Sequence, residues 1–430
     1  MKFRTGRQIL LLGILLVYCL GSAGAQTIDP AKAKSAFAEA KQLSDKDGGH
    51  LWGRPLYGPL LFVDPGSRAA VANEADATGV LHQQAGVWVG TLPPEIIPAN
   101  TAFYWAGKHW TMVMWPLPEH SLPRRRLLAH EMYHRLQDDL HLPANGPQNP
   151  HLDTMDGRYW LQLEWRALAV ALVTTGAEQT QAILDALAFR GRRQQTFSGS
   201  AESERQLEMN EGLAEYTGYA LFSPDAATAH WRLEADLAAP QAKTFVRSFA
   251  YTSGPAYGML LDERDKAWRS KLTAQSDLGQ LLLATTGVGA LPGESERAIV
   301  YGGLGLSVTE SERASENAMQ QARYHKLLVD GPTLKLTDAG KFNFSFDPND
   351  VVPLGSAGNV NPSTEVTDVW GILKAGQGSL LAPDMKSVTV SAPTAIEGSH
   401  VTGAGWELDL SPGWAVVKSG AAGNYALQKQ

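Results

Sequence analysis

Cysteine is almost missing from this chain: the single copy, Cys19, sits near its beginning. A form without that stretch has no thiol, makes no disulfide even in an oxidising compartment, and must be held together by packing. Long apolar runs are scarce as well. The apolar run from Ile9 to Leu20 is far shorter than the roughly 20 residues that cross hydrocarbon. Lys2, Arg4 and Arg7 precede it, and Ala23-Gly24-Ala25 follows as an A-x-A cleavage pattern. This order describes a secretory signal peptide over residues 1–25, with an uncleaved anchor as the alternative. Tyr18 stands before Cys19, where a lipid-modified cysteine normally follows a small residue.

A surplus of positive charge is the third absence. The formal net charge is −7, and loss of Lys2, Arg4 and Arg7 with the signal peptide takes it to −10. An acidic, exported chain has no electrostatic footprint for nucleic acid. The triplet Arg124 to Arg126 therefore reads as the solvated start of a helix. The expected location is the bacterial periplasm or the exterior, with no membrane span once the signal peptide is cleaved.

With 430 residues at 44% hydrophobic content, the chain can bury one large domain and a smaller one. From Gly58 to Trp115, short β-branched and aromatic runs such as "LYGPLLFVD", "NTAFYWAG" and "HWTMVMWPLP" are cut by Gly, Pro and Asn, which predicts a twisted sheet. After Pro123 the texture becomes helical, with Pro123 itself in a first turn. Helices are expected from there to Pro143 and at about 157–173, 178–189, 202–222, 255–272 and 310–324. Beyond Leu327, alternation such as Phe342-Asn343-Phe344-Ser345-Phe346 and "WELDL" predicts an antiparallel β module over 327–430. The fold class is α+β, with a main domain over 26–326.

One pentapeptide carries chemistry. His130-Glu131-Met132-Tyr133-His134 spells H-E-x-x-H, a pattern expected by chance on the order of one time in a hundred in such a chain. On a helix, His130 and His134 project from one face a turn apart, which suits two ligands of one Zn2+ ion. Glu131 then lies beside the metal, placed to take a proton from an activated water and pass it to a leaving amine. The bland alternative is a pair of satisfied polar histidines on a half-buried helix.

Such a site needs a third ligand. The H-E-x-x-H-x-x-G-x-x-H pattern is broken here, because Gln137 holds the glycine place, Leu140 the final place, and His141 comes one residue late. A later glutamate is the other option. In "EMNEGLAEYTGYALF", Glu211 and Glu215 are one turn apart on one face; Glu211 could bind zinc while Glu215 accepts the N–H of a ligand histidine. Glu164, in the apolar "LQLEWRALAVAL", is the competitor for third ligand. Its alternative role is a buried carboxylate in a salt bridge in the neighbourhood of Arg166 or in a hydrogen bond to a Tyr or Trp.

HEMYH together with NEGLAEY resembles the gluzincin metallopeptidases, the group that holds the thermolysin, aminopeptidase N and bacterial collagenase branches. The resemblance covers roughly Leu127 to Asp262 and implies a zincin-like fold for the main domain. It also implies His130, His134 and Glu211 as zinc ligands and Glu131 as the base. "AYTSGPAYGMLLDE", Ala250 to Glu263, is similar to a stretch whose tyrosine stabilises the oxyanion in aminopeptidase-type members, implying that role for Tyr251; a tyrosine at a helix start packed on the core is the alternative. The strand before the zinc helix borders the cleft in this group, which implies an edge at "HWTMVMWPLP" where an extended peptide could add; ordinary sheet core with Trp110 and Trp115 packed inside is the alternative.

There are departures. Seventy-six residues separate His134 from Glu211, far more than in thermolysin-like enzymes, so two helices must be inserted. The G-x-M-E-N signature of exopeptidases is absent. The expectation is an exported zinc metallopeptidase acting on peptides or proteins. Two alternatives stay open: a non-catalytic cell-envelope binding protein on the same scaffold, and a zinc hydrolase for a non-peptide bond.

Overall fold

Proline and glycine cut the early chain into short strands, and the hydrophobic pattern decides how they stack. The structure, a computed structural model, describes residues 28–223, 225–346, 350–420 and 423–430. Residues 1–25, expected to be a signal peptide, and Cys19 within them lie outside the described residues. By compactness the chain divides after Leu304 into two units. Among the described residues no helix is long and apolar enough to cross a membrane.

The first unit opens with helix α1, Pro30–Asp47, followed by strands β1 Leu60–Val63, β2 Ala69–Ala72, β3 His82–Gln84, β4 Val87–Thr91, β5 Thr101–Trp105 and β6 Lys108–Met114. They form one sheet in the order β3-β4-β2-β1-β6-β5. Only the β1–β6 pair is parallel. Every residue of β1 is buried, because both faces of the sheet are covered there. Leu61 and Val63 join Trp110 and Met112 in one core, while Phe62 stacks on Phe37 of α1 with ring centroids 4.5 Å apart.

The expected edge at "HWTMVMWPLP" is corrected by this topology. Strand β6 lies inside the sheet, and β5 is the edge. Ala106 and Gly107 both have positive φ, 48° and 77°, the backbone of a tight hairpin turn matching strand twist. That turn folds residues 101–105 back over the side of β6 that would otherwise be open.

The helices that follow are α2 Ser121–Leu140, α3 Met155–Val173, α4 Gly176–Thr196, α5 Ser200–Leu207, α6 Leu213–Phe222, α7 Ala226–Ala238, α8 Ala250–Arg264, α9 Leu278–Ala284 and α10 Glu294–Val300. A π-helical turn, Glu208–Gly212, joins α5 to α6 without a break. Helices α3 and α4 occupy the spacer between HEMYH and NEGLAEY. Helix α8 starts five residues before Pro255, which sits inside it, so the expected start at that proline is too late.

A buried ionic cluster holds this helical layer. Glu164 of α3 accepts from Arg193 Nη1 at 2.5 Å and from Tyr257 Oη at 2.6 Å. Arg193 also donates to both oxygens of Glu204, each at 2.8 Å. One turn away on α4, Arg190 makes two bonds to Glu208 of the π turn, at 2.8 and 2.6 Å. Two arginines of one helix thus fix α3, α5 and the turn that carries Glu211.

The second unit, Gly305–Gln430, takes nearly all of helix α11, Gly303–His325, and two β-sheets. Seven strands make one sheet and six the other. All neighbours pair antiparallel except Thr333–Thr337 with Tyr425–Lys429. Strands Gly371–Ala375 and Trp406–Leu410 alternate buried and exposed residues without exception. Their inward side chains join Leu334, Leu336, Val388 and Val390 of the other sheet in a single core. This is a sandwich, and the chain as a whole is α+β.

Arg193→Met is expected to destabilise the protein by about 3–5 kcal/mol, since it takes from two buried carboxylates the cation that bonds both of them; urea unfolding measures this. Burial opposes ionisation of Glu204, but Arg193 outweighs it and holds the carboxyl well below its usual 4.5. The folded pKa lies below the unfolded one, so its stabilisation is complete above 4.5 and is lost as pH falls. Stability should drop from about pH 5 downward, less steeply in Glu204→Gln; equal slopes in the two proteins would exclude this assignment.

Candidate metal centre

Helix α2 is amphipathic in a way that separates packing from chemistry. Leu128, Ala129, Met132, Tyr133 and Leu136 are buried at 3–4-residue spacing, while Arg126, His130 and His134 follow one another at four-residue intervals along a second stripe. The helix ends at His141, an exposed residue whose φ of 55° makes it the left-handed cap. His141 therefore plays no part in the site.

The second stripe meets the π turn and α8. His130 Nε2 and His134 Nε2 approach to 3.0 Å, and Glu211 Oε2 lies 3.6 Å from the first and 3.5 Å from the second. Glu131 Oε1 is 4.0 Å from His130 Nε2. His130, Glu131 and His134 can each offer one donor atom within 4.8 Å of the other two. Insertion of a π turn is a known device at functional sites; here it supplies Glu211, while Glu215 follows in α6.

Each imidazole is gripped from behind. His130 Nδ1–H donates to Glu215 Oε2 at 2.7 Å, and His134 Nδ1 lies 2.6 Å from Gln137 Oε1. Glu215 Oε1 is in turn 2.9 Å from Arg126 Nε. The Arg124–Arg126 triplet is therefore not a solvated helix start. Arg124 and Arg125 pair with Glu39 of α1 at 2.6 and 3.0 Å, and Arg126 braces the carboxylate behind His130.

Glu211 is held on both oxygens. Its Oε1 accepts from Arg247 Nη2 at 3.0 Å, and its Oε2 accepts from Tyr251 Oη at 2.5 Å. Tyr251 also lies parallel to the His130 ring, with centroids 5.5 Å apart. Gly254 makes this approach possible. A Cβ there would meet Gly212 Cα at 2.2 Å, so α8 reaches the Glu211 turn only because both positions lack side chains.

The charges in this pocket are strongly coupled. Burial would lower the His130 pKa, but bonds to Glu211 and Glu215 outweigh it and raise the group to about 10. Burial would raise the Glu211 carboxyl, but the two histidines hold it well below the usual range. Glu131 is raised by its burial. Burial and the Glu211 carboxylate carry Tyr251 well above 10, so its hydroxyl remains a donor.

Two features fit a metal ion. With both Nδ1 atoms turned outward, two Nε2 atoms and one carboxylate oxygen face a common point, a donor set typical of zinc. Glu131 Oε2 is buried and has no hydrogen-bond partner among the described residues, although such atoms are almost always satisfied.

Glu164 is not brought to this cluster. Its oxygens are engaged by Arg193 and Tyr257, and Arg190 lies 3.6 Å away. Of the residues read from the sequence, His130, Glu131, His134, Glu211, Glu215 and Tyr251 converge. Arg126, Gln137 and Arg247 were missed. The first two share the helical spacing of the histidines and could have been found by it; nothing local marks Arg247.

No protein-family model, curated protein or solved structure matches the chain.

Removing the carboxylate behind His130 should weaken metal binding. Glu215→Ala is expected to raise the zinc Kd about 10- to 100-fold, read by competition with a chromophoric chelator; an unchanged Kd would remove Glu215 from the site.

Proposed function

We propose that this protein is an exported zinc metallopeptidase of gluzincin type, hydrolysing peptide bonds in peptide or protein substrates. The observation that carries the reading is the convergence of His130 Nε2, His134 Nε2 and Glu211 Oε2, within 3.6 Å of one another, beside a buried carboxylate with an unpartnered oxygen. The zincin-like assignment of the first unit draws support from a sheet whose strand β6 leads into the HEMYH helix and whose edge is β5. Export rests on the basic, apolar and A-x-A order of residues 2–25.

His130, His134 and Glu211 would hold the ion. Zinc bound there supplies Lewis acidity, which makes water a nucleophile at neutral pH and polarises a substrate carbonyl. The chain's own residues then divide the proton work. Glu131 has its pKa raised by burial, which moves a carboxylate toward the range where it can both accept and return a proton. It would take the proton of the attacking water and deliver it to the leaving amine. Tyr251, protonated at any working pH, offers its hydroxyl to the oxyanion that develops on the carbonyl oxygen. To do so it must give up its bond to Glu211 Oε2.

The zinc-to-protein ratio of purified protein tests the centre. The parent should hold one equivalent, Glu211→Ala should lose it, and Glu164→Ala should keep it. Loss only in the Glu164 variant would relocate the third ligand, and a parent that takes up no zinc would exclude the centre.

Glu131→Gln should retain zinc and lose peptide hydrolysis by several orders of magnitude, measured on a denatured protein substrate. Undiminished turnover would exclude Glu131 as the base. Turnover of esters with none of peptides would favour the non-peptide hydrolase.

A further inference from the structure

The residue that breaks one metal-site pattern has a place in the site itself. Gln137 was set aside in the sequence because it stands where glycine belongs in H-E-x-x-H-x-x-G-x-x-H. In the structure it is completely buried, and all its polar contacts lie within the centre or against the loop beside it.

We propose that Gln137 is a positioning residue acting through His134: it holds a proton on Nδ1 and turns Nε2 toward Glu211, so that Nε2 is the nitrogen offered to a metal ion. The inference rests on the metal-centre reading above. It follows from a chain of groups that can only donate or only accept.

The chain starts at Glu211, an ionised carboxylate that can only accept. Its Oε1 takes Asn210 Nδ2 at 3.3 Å, so the amide nitrogen of Asn210 faces Glu211 and its oxygen faces away. That oxygen accepts from Gln137 Nε2 at 3.2 Å. The carbonyl of Pro143, also an acceptor only, takes the same Nε2 at 2.8 Å. Two acceptors thus hold the nitrogen end of Gln137 in one direction. Its Oε1 must then point at His134 Nδ1, 2.6 Å away. Two bare lone pairs do not meet at that distance, so Nδ1 carries the hydrogen. The ring closes where His134 Nε2 faces Glu211 Oε2 at 3.5 Å.

Charge explains why an amide does this task. His130 is oriented by an anion, Glu215, which Arg126 partly neutralises. The pocket already holds Glu131, Glu211 and Glu215, all buried. A fourth carboxylate behind His134 would orient the ring equally well but would add repulsion to the metal-free protein. A neutral amide sets the tautomer without that cost.

Zinc binding to Gln137→Leu and Gln137→Glu tests this, by chelator competition alongside thermal melting of the metal-free proteins. Leucine removes the acceptor and should raise the zinc Kd about 10- to 100-fold. Glutamate keeps the acceptor oxygen but loses the contacts to Pro143 and Asn210. It should leave the Kd at or below the parent's while lowering the melting temperature of the metal-free form. A parent-like Kd in Gln137→Leu would overturn the inference. So would a Glu variant weakened as much as the Leu variant, because the brace on the loop would then be all that matters. If the Leu variant does not fold, the Glu variant decides alone: a Kd at or below the parent's supports the inference, and one raised about 10-fold or more overturns it. A parent that binds no zinc removes the metal-centre reading and this inference together, and only that outcome touches the reading itself.

Discussion

Three carboxylates buried around two imidazoles set the terms for the rest of the first unit. Glu131, Glu211 and Glu215 are each less than 9% exposed, and anions taken out of water at such density require cations close by. Arg126 answers Glu215 and Arg247 answers Glu211. The histidines themselves supply part of the remaining charge when protonated, or the whole cluster can be balanced by a divalent ion. Burying three carboxylates together is costly for the protein alone, and a divalent ion, as proposed, would offset that cost.

Keeping such a cluster in register falls to the helical layer behind it. Glu211 lies in the π turn four residues before Glu215, and that turn is tied down by Arg190 through Glu208. Arg193 fixes the preceding helix through Glu204. From the other side, the Gly212–Gly254 contact lets α8 come close enough for Tyr251 to touch Glu211. The spacer helices α3 and α4 are thus the scaffold that aims Glu211, the proposed third ligand. Glu164, a rival for that role in the sequence, is one of the groups doing the aiming.

Some of this was legible from local pattern. HEMYH on a helix, the pairing of Glu211 with Glu215, the early sheet and the late antiparallel β module follow from periodicities of 3.6 or 2, or from motif spacing, whereas Tyr251 was implied by the family resemblance alone. The helices α1, α7, α9 and α10 were not anticipated. Pro255 misled because a proline is tolerated inside α8 as well as in a first turn. The edge strand was misassigned because the Ala106-Gly107 turn, which covers β6 with β5, was not weighed as a hairpin.

The sequence by itself determined which donors exist and which of them share a helix face, since four-residue spacing brings side chains together whatever surrounds the helix. It also determined the want of disulfides and the acidic balance. Only the tertiary structure decided which distant carboxylate meets the histidines. It made Glu164 the partner of arginines and Glu211 the neighbour of imidazoles. It also put Arg126, Gln137 and Arg247 behind those groups. Such choices depend on contacts between segments tens of residues apart, where desolvation makes every unpaired charge expensive, and no local pattern records them.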